Sequence, residues 1–229
     1  RLSEALEVQG MKEDILKAYP HAKILAFDAD DLSKSKRQEA MARIAFGDWD
    51  IVLVPHSSFG KLSISNERMV SMMQKWVDEI LDAEAAAAGE RGARDPSVKK
   101  LAAMRKRIQK KIDKKMAAIA EATDANLTWE DLGVDALLVD EAHLFKNLFY
   151  FTKVENIRGL SKSESDRALD MFVKIQDINE QSHYRNLVFA TATQVMNSMA
   201  EIFTMQRFLQ PQVLKDKGLD GFDNWYAMF

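Results

Sequence analysis

Four short, uninterrupted apolar runs constrain the fold of this 229-residue chain more than any other feature. They read KILAF at 23–27, DIVLVP at 50–55, ALLVD at 136–140 and NLVFAT at 186–191. A strand with one solvated face alternates apolar and polar residues, whereas a strand buried on both faces is apolar throughout. Helical patterns separate the runs, so the sequence predicts an α/β fold with a parallel sheet covered on both faces.

The helical patterns beside the first two runs have recognisable ends. The first is predicted to span Glu4 to Ala18. The second is predicted from Ser33, a plausible N-cap, to Phe46, with Gly47 as its stop.

Residues 65–123 differ from the rest because they show strong helical periodicity and almost no β-branched runs. The segment GERGARDPS at 89–97 predicts a turn, with the second helix opening at Pro96 or Ser97. The chain is predicted to re-enter the sheet through TWEDLG at 128–133, where Thr128 and Asp131 have capping-box spacing. We therefore divide the chain into residues 1–64, an inserted antiparallel helical hairpin at 65–125, and residues 126–229. Each arm carries one apolar stripe: Met69, Met72, Met73, Trp76, Ile80 and Ala83 on the first, and Leu101, Met104, Ile108, Ile112, Met116 and Ile119 on the second.

Composition narrows the class of protein. The chain is 47% apolar, which is enough for a packed core, and it has no cysteine, which excludes disulfides and thiolate metal sites. No apolar stretch approaches the roughly 20 residues that cross a bilayer, so no membrane is expected and the predicted location is the cytoplasm. A start at Arg1 and an end within the aromatic run FDNWYAMF predict a piece of a longer protein.

Charge is strongly segregated along the chain. The formal net charge is −3, but residues 97–116 hold nine basic residues and one acid, a net charge of +8 that leaves −11 for the remainder. Two hypotheses remain open for this basic arm. Its lysines, Lys106 and Lys110 among them, would bind nucleic-acid phosphates, or they would form a solvated face paired with acids of the other arm. Those acids are Glu67, Asp78, Glu79, Asp82 and Glu84.

Two adjacent acids, Asp140 and Glu141, follow the third apolar run. In a parallel sheet, ligands bind beyond the carboxyl ends of the strands. ATP hydrolysis needs a cation to neutralise phosphate charge and a carboxylate to polarise the attacking water. Asp140 is suited to the first task and Glu141 to the second, although an acidic pair at a strand end is also ordinary surface.

The residues around this pair resemble a known family. VDEAHLFKN (139–147) resembles the Walker B region of superfamily 2 helicase-like ATPases of the Swi/Snf branch, in which an Asp-Glu-Ala-His box precedes a Lys-Asn pair. FATATQVMNS (189–198) is similar to the third motif of that branch. Thr191, Thr193 and Asn197 match it, whereas Ala192 stands where glycine is usual and Gln194 where proline is usual.

Longer stretches extend the resemblance over nearly the whole chain. GDWDIVLVPHSSFGKLSISNER, FKNLFYFTKVENIRG, SDRALDM and AEIFTMQRFLQP resemble large bacterial, phage and plasmid proteins that join a Swi/Snf-type helicase region to an adenine-specific DNA methylase. The resemblance implies the first RecA-like lobe of a P-loop NTPase-type motor that uses ATP and Mg²⁺ and moves on double-stranded DNA. It also implies a second RecA-like lobe and a methylase domain as partners in the parent chain.

Roles at the nucleotide site follow from the resemblance. It implies that Asp140 binds Mg²⁺ through water and that Glu141 activates water. It also implies that His143 connects this site to the turn at Thr191 and Thr193 by hydrogen bonding. A locally satisfied core histidine remains the alternative for His143, and no other histidine stands at metal-ligand spacing from it.

The resemblance also implies nucleic-acid contacts. His56 and Ser57, after the second strand, are expected to touch the nucleic-acid backbone, with a locally packed turn as the alternative. Lys146 and Asn147 are expected to face DNA or, alternatively, to orient the loop at the strand tip.

A phosphate-binding loop of the form G-x-x-x-x-G-K-[ST] is not found in the sequence. The nearest candidate, PHSSFGKL at 55–62, lacks the first glycine and the final hydroxyl residue, so we reject it. In the resembled family this loop precedes the first strand seen here, and we expect the chain by itself to bind ATP weakly and to hydrolyse it poorly.

The rival hypothesis is a non-catalytic DNA-binding or protein-docking module that uses the helical hairpin.

Overall fold

The computed structural model describes residues 2–121, 126–152, 165–182, 185–193 and 198–228. The chain divides into two compact units. The first combines Arg1–Ser65 with Thr123–Val134, and the second combines Asn66–Ala122 with Asp135–Phe229. The three-part division predicted from the sequence stays a prediction.

The first unit is a small α/β arrangement. Its two strands pair in parallel, with Ile24 opposite Ile51. The buried side chains of Leu25 and Leu53 lie on these strands, and Met41 of the second helix is fully buried. The elements are α1 (Leu2–Ala18), β1 (Ile24–Ala26), α2 (Arg37–Phe46), β2 (Ile51–Leu53), α3 (His56–Phe59) and a 3-10 helix (Trp129–Leu132).

The start of α2 corrects one sequence prediction. The helix begins at Arg37, with Lys36 rather than Ser33 at the N-cap. The Ser33 carbonyl accepts the N–H groups of Lys36 and Arg37 at 3.1 and 2.9 Å, so residues 33–36 form turns before the helix. The predicted end is right, because Gly47 is the C-cap.

The segment that follows the hairpin returns to the first unit through a capped turn. The Asp131 carboxylate accepts hydrogen bonds from the Thr128 backbone N–H at 2.7 Å and from the Thr128 hydroxyl at 3.0 Å. Trp129 is buried and packs edge-on against Phe59, with ring centroids 5.6 Å apart. Gly133 ends the turn with φ 66°, a conformation that favours glycine.

The second unit contains the predicted hairpin and the second strand pair. Its core holds the buried aromatic side chains of Phe203, Phe222 and Trp225. Among the described residues, no helix is both long enough and apolar enough to cross a membrane. The elements are α4 (Asn66–Arg91), α5 (Pro96–Glu121), β3 (Leu137–Val139), a 3-10 helix (Ala142–Phe145), α6 (Asp166–Ser182), β4 (Leu187–Phe189), α7 (Ala200–Leu209), α8 (Pro211–Asp216) and α9 (Phe222–Tyr226).

The hairpin is formed by α4 and α5, with α5 opening at Pro96 as predicted. Its apolar stripes are buried at Met69, Met73, Trp76 and Ile80 on α4 and at Leu101, Ile108 and Ile112 on α5. Trp76 connects this packing to the rest of the unit through Phe149 and Phe172, whose ring centroids lie 5.1 and 6.1 Å from its own. Met116 departs from the predicted stripe, because it is 50% exposed near the end of α5.

The α/β character is confirmed, but the described residues form two parallel strand pairs, one in each unit, where the sequence predicted one sheet. In the second unit Leu137 pairs with Leu187 and Val139 with Phe189. Between them, Leu138 is 74% exposed and Val188 is 53% exposed, so the part of the chain that the structure describes leaves these two side chains in the open. An apolar run shows that a strand suits burial, but it does not specify which strand is its neighbour.

Candidate functional site

The Asp-Glu-Ala-His box forms a tight turn at the carboxyl end of β3. Glu141 adopts a left-handed conformation, with φ 46° and ψ 44°, and among the described residues it is the one non-glycine residue with positive φ. An Asp140 carboxylate oxygen accepts the Glu141 backbone N–H at 2.8 Å. Both side chains are exposed. Left-handed backbone is unfavourable for a residue with a Cβ atom, and such strain is concentrated at functional sites.

Backbone hydrogen bonds hold this turn against the turn that follows β4. The Ala190 N–H donates to the Val139 carbonyl at 2.8 Å, and the Ala142 N–H donates to the Ala190 carbonyl at 3.0 Å. The parallel pairing therefore continues past both strands. As a result, the box and the Thr191 turn are adjacent, although they are separated in the sequence.

His143 joins the two turns through its side chain. Its Nδ1 lies 3.1 Å from Glu141 Oε2 and 3.1 Å from the Thr191 hydroxyl. The contact with Thr191 has hydrogen-bond geometry, whereas the contact with Glu141 is a close approach of the ion-pair type. His143 thus contacts both turns, and its connecting role and the alternative of a locally satisfied core histidine both stay predictions.

The Thr191 turn is organised by its own hydroxyl. Thr191 Oγ1 accepts the Thr193 backbone N–H at 3.2 Å and also contacts the Thr193 carbonyl at 3.4 Å. Ala192 lies between these residues at the position that departs from the resembled motif. Gln194 and Asn197, the other two positions of the motif, lie outside the described residues.

The side chain of Lys146 forms an ion pair within the second unit. Its ammonium lies 2.9 Å from Glu201 on α7, and the two side chains are 14% and 8% exposed. The carbonyl of the next residue, Asn147, accepts the Ser165 N–H at 3.2 Å. Of the two hypotheses for this pair of residues, these contacts favour an orienting role for Lys146. DNA contact by Lys146 and Asn147 stays an untested prediction.

A partly buried arginine contacts the segment beyond the box. Arg207 on α7 donates to the Phe149 carbonyl at 2.5 Å, and its guanidinium stacks on the rings of Phe172 and Phe203 at 5.2 and 5.7 Å. Burial lowers the pKa of Arg207 to about 10, and burial raises the pKa of the nearby Tyr150 to about 12. The box, its following segment and α7 are therefore tied together by polar contacts.

The other predicted contact residues lie elsewhere. His56 is half-buried and Ser57 is exposed on α3, in the first unit, and both have interactions with other groups. Lys106 and Lys110 are exposed on α5. The structure thus brings together Glu141, His143 and Thr191, while the proposed nucleic-acid contacts are distributed over both units.

Sequence reasoning missed Glu201. Its signal is an acid in the first turn of a largely apolar helix, AEIFTMQRFL. A buried acid generally needs a partner, but the sequence does not identify Lys146 as that partner. The left-handed conformation of Glu141 was missed as well, because glutamate carries no sequence signal for it.

No group of three or more histidine or carboxylate side chains suited to hold a metal is present among the described residues. Asp140 and Glu141 present two adjacent exposed carboxylates at the end of β3. Magnesium is usually bound through one or two protein carboxylates together with water and substrate phosphates, so this donor set fits it.

Comparison with known proteins identifies the family. Residues 5–229, nearly the whole chain, match the model of a family described as a probable helicase domain. No curated protein and no solved structure matches the chain. Since the match covers far more than half of the sequence, and the box and the threonine turn lie within it, the chain belongs to this probable helicase domain family.

Proposed function

We propose that the chain is part of the first RecA-like lobe of a Swi/Snf-type ATPase, a motor that couples ATP hydrolysis to movement on double-stranded DNA. Membership of a helicase family supports a helicase-like function for the parent protein. The observation that carries the proposal is the position of His143 Nδ1, 3.1 Å from both Glu141 and Thr191. This contact joins the two sequence motifs into one site.

Asp140 is the residue that would hold magnesium, through water. One of its oxygens accepts the Glu141 N–H, and its side chain faces solvent at the end of β3. When bound, magnesium-ATP supplies the phosphoryl group and the positive charge that neutralises it. Asp140 keeps its carboxylate at the strand tip because its own contact is with the backbone of the same turn.

Glu141 is the proposed general base. Its carboxylate is about half exposed, so water can reach it, and His143 Nδ1 lies 3.1 Å from one of its oxygens. The other oxygen is then available to accept a proton from the attacking water. The left-handed backbone directs this side chain away from the path of a regular strand, and its strain is the cost of that placement.

His143 and the threonine turn are proposed to connect hydrolysis to DNA movement. A shift of Thr191 would break its hydrogen bond with His143 and would move the imidazole that contacts Glu141. Thr193 takes part because its N–H is bound by the Thr191 hydroxyl. In this role, movement of the threonine turn changes the position of the Glu141 carboxylate through the His143 imidazole.

The parent protein is proposed to supply the second RecA-like lobe and an adenine-specific DNA methylase domain. The motor would then serve a methylation, restriction or anti-restriction system. These assignments rest on the sequence resemblance described above.

The test is ATP hydrolysis by the parent protein carrying Glu141→Gln, with Glu90→Gln as the matched control. Glu90 is exposed at the end of α4, outside the site. Loss of a general base predicts a decrease of about 10²–10⁴-fold in DNA-stimulated hydrolysis, with DNA binding retained and the control unaffected. Wild-type turnover by Glu141→Gln would contradict the proposal.

A further inference from the structure

We infer that the outward face of α5 is a binding surface for the phosphate backbone of duplex DNA. This inference rests on the proposed function for the identity of the ligand, and it adds a DNA contact far along the chain from the Asp-Glu-Ala-His box. The surface, called the basic stripe below, consists of Lys99, Lys106, Lys110 and Lys114.

The structure separates the basic residues of α5 by their contacts. Three of them are half-buried and hold the hairpin in place, so they are not available to a ligand. Their contacts are Arg105 with Glu84 at 3.1 Å, Lys111 with Asp166 at 2.7 Å, and Lys115 with the Asn66 side chain at 3.2 Å. Of the other six basic residues, four form the basic stripe, and Lys100 and Arg107 flank it.

The basic stripe is exposed, and its lysines make no ion pair with any residue that the structure describes. The single acid of the basic arm, Asp113, accepts a hydrogen bond from Gln109 at 3.0 Å instead. Within the described residues, four of the five acids predicted to pair with this arm form no ion pair with α5; they are Glu67, Asp78, Glu79 and Asp82. Pairing within the hairpin therefore does not account for the charge of the stripe.

The spacing of the stripe suits a long polyanion. Lys106, Lys110 and Lys114 follow one another at four-residue intervals, and Lys99 lies seven residues earlier on the same face. With a rise of 1.5 Å per residue, the stripe is about 22 Å long. Duplex DNA carries one charge per 1.7 Å of axis, so about a dozen phosphates lie along that length. Like charges four residues apart destabilise an unliganded helix, which favours a role in binding over a role in stability.

The opposite face of α5 argues against a membrane as the partner. A basic amphipathic helix that binds a bilayer inserts its apolar face. Here that face is buried, because Leu101, Ile108 and Ile112 are each less than 5% exposed within the unit. The most apolar face of α5 is therefore covered, and the stripe itself presents charge, as expected for phosphate contacts.

The test is duplex DNA binding by the 229-residue chain, without nucleotide, at several salt concentrations. The test variant is Lys106→Gln, Lys110→Gln and Lys114→Gln together. The control variant is Lys75→Gln, Lys215→Gln and Lys217→Gln, which changes the net charge equally at exposed lysines outside the stripe. Each phosphate contact contributes about 0.9 to the slope of log affinity against log salt, so the test variant should reduce the slope by about 2.7. The control should retain the wild-type slope.

Two further measurements decide between explanations. Replacement of the same three lysines by arginine should retain the slope, because charge is kept. An unchanged slope in the glutamine variant, an equal decrease in the control, or no DNA binding by the wild-type chain would each overturn the inference. So would displacement of DNA by polyglutamate as effective as displacement by unlabelled duplex, since the surface would then fit an acidic protein. If the slope changes as expected but the parent shows no DNA-stimulated ATP hydrolysis, the surface stands and the proposed motor function fails.

Discussion

The ion pair between Lys146 and Glu201 allows a quantitative prediction about the loop that follows the box. At 2.9 Å and an effective dielectric constant of about 20, Coulomb attraction amounts to about 6 kcal/mol before the cost of desolvation. Both side chains are less than 15% exposed, so removal of either one takes an ion-pair partner away from a charge that is almost buried. We expect Lys146→Met and Glu201→Leu each to lower the free energy of unfolding by about 3–5 kcal/mol.

The double variant separates pairing from packing. Replacing both partners removes both charges, and we expect it to destabilise the chain by at least about 2 kcal/mol less than the sum of the single variants. Urea unfolding followed by circular dichroism measures all four proteins of the cycle. The exposed pair Lys17 and Asp14, in which each side chain is 75% exposed, serves as the control and should show much weaker coupling.

Two results would refute this reasoning. Additive single variants would show that the charges are not coupled. A Lys146→Met variant with unchanged stability, whose DNA-binding salt slope falls by about 0.9, would show that Lys146 faces DNA instead.

Three other substitutions test separate features of the structure. Glu141→Gly should raise the free energy of unfolding by about 0.5–1 kcal/mol, because glycine adopts a positive φ without strain. The same substitution should abolish ATP hydrolysis by the parent protein. A decrease in stability, measured by urea unfolding, would contradict the presence of backbone strain at Glu141. Gly133→Ala should lower the free energy of unfolding by about 1 kcal/mol through backbone strain alone, because no atom lies within 4 Å of an added Cβ; equal unfolding midpoints would argue against it. Tyr150→Phe should remove a phenolate absorbance step near pH 12 and part of the loss of stability at alkaline pH. The raised pKa of Tyr150 contributes stability that is present below about pH 10 and is lost as the pH rises through about 12. An unchanged phenolate titration would show that Tyr150 is not buried in this way.

Features with a local signal could be predicted from the sequence. The four strands lie within the apolar runs, and the hairpin helices begin and end close to the predicted turn, because periodicity is a property of neighbouring residues. The positions of Asp140 and Glu141 at a strand end follow from the same signal. The strand neighbours were not predictable in this way, since nothing in ALLVD itself identifies NLVFAT, its partner among the described strands.

Features that depend on residues distant in sequence required the structure. The partner of Lys146 lies on α7, and the sequence offers many other acids as candidates. The uncovered face at Leu138 and Val188 is another example, because their apolar character predicts burial while the described residues leave them exposed. The third example is α5, where the structure is needed to show which basic side chains contact α4 or α6 and which are exposed.

The most direct test of the motor hypothesis is the rate of ATP hydrolysis by the parent protein with and without duplex DNA, compared between wild type and Glu141→Gln. The hypothesis predicts that DNA stimulates the wild-type rate and that Glu141→Gln binds the same DNA but hydrolyses ATP at least about 100-fold more slowly. Equal hydrolysis rates for the two proteins in the presence of DNA would contradict the assignment of the Asp140–Glu141 turn as the hydrolytic site.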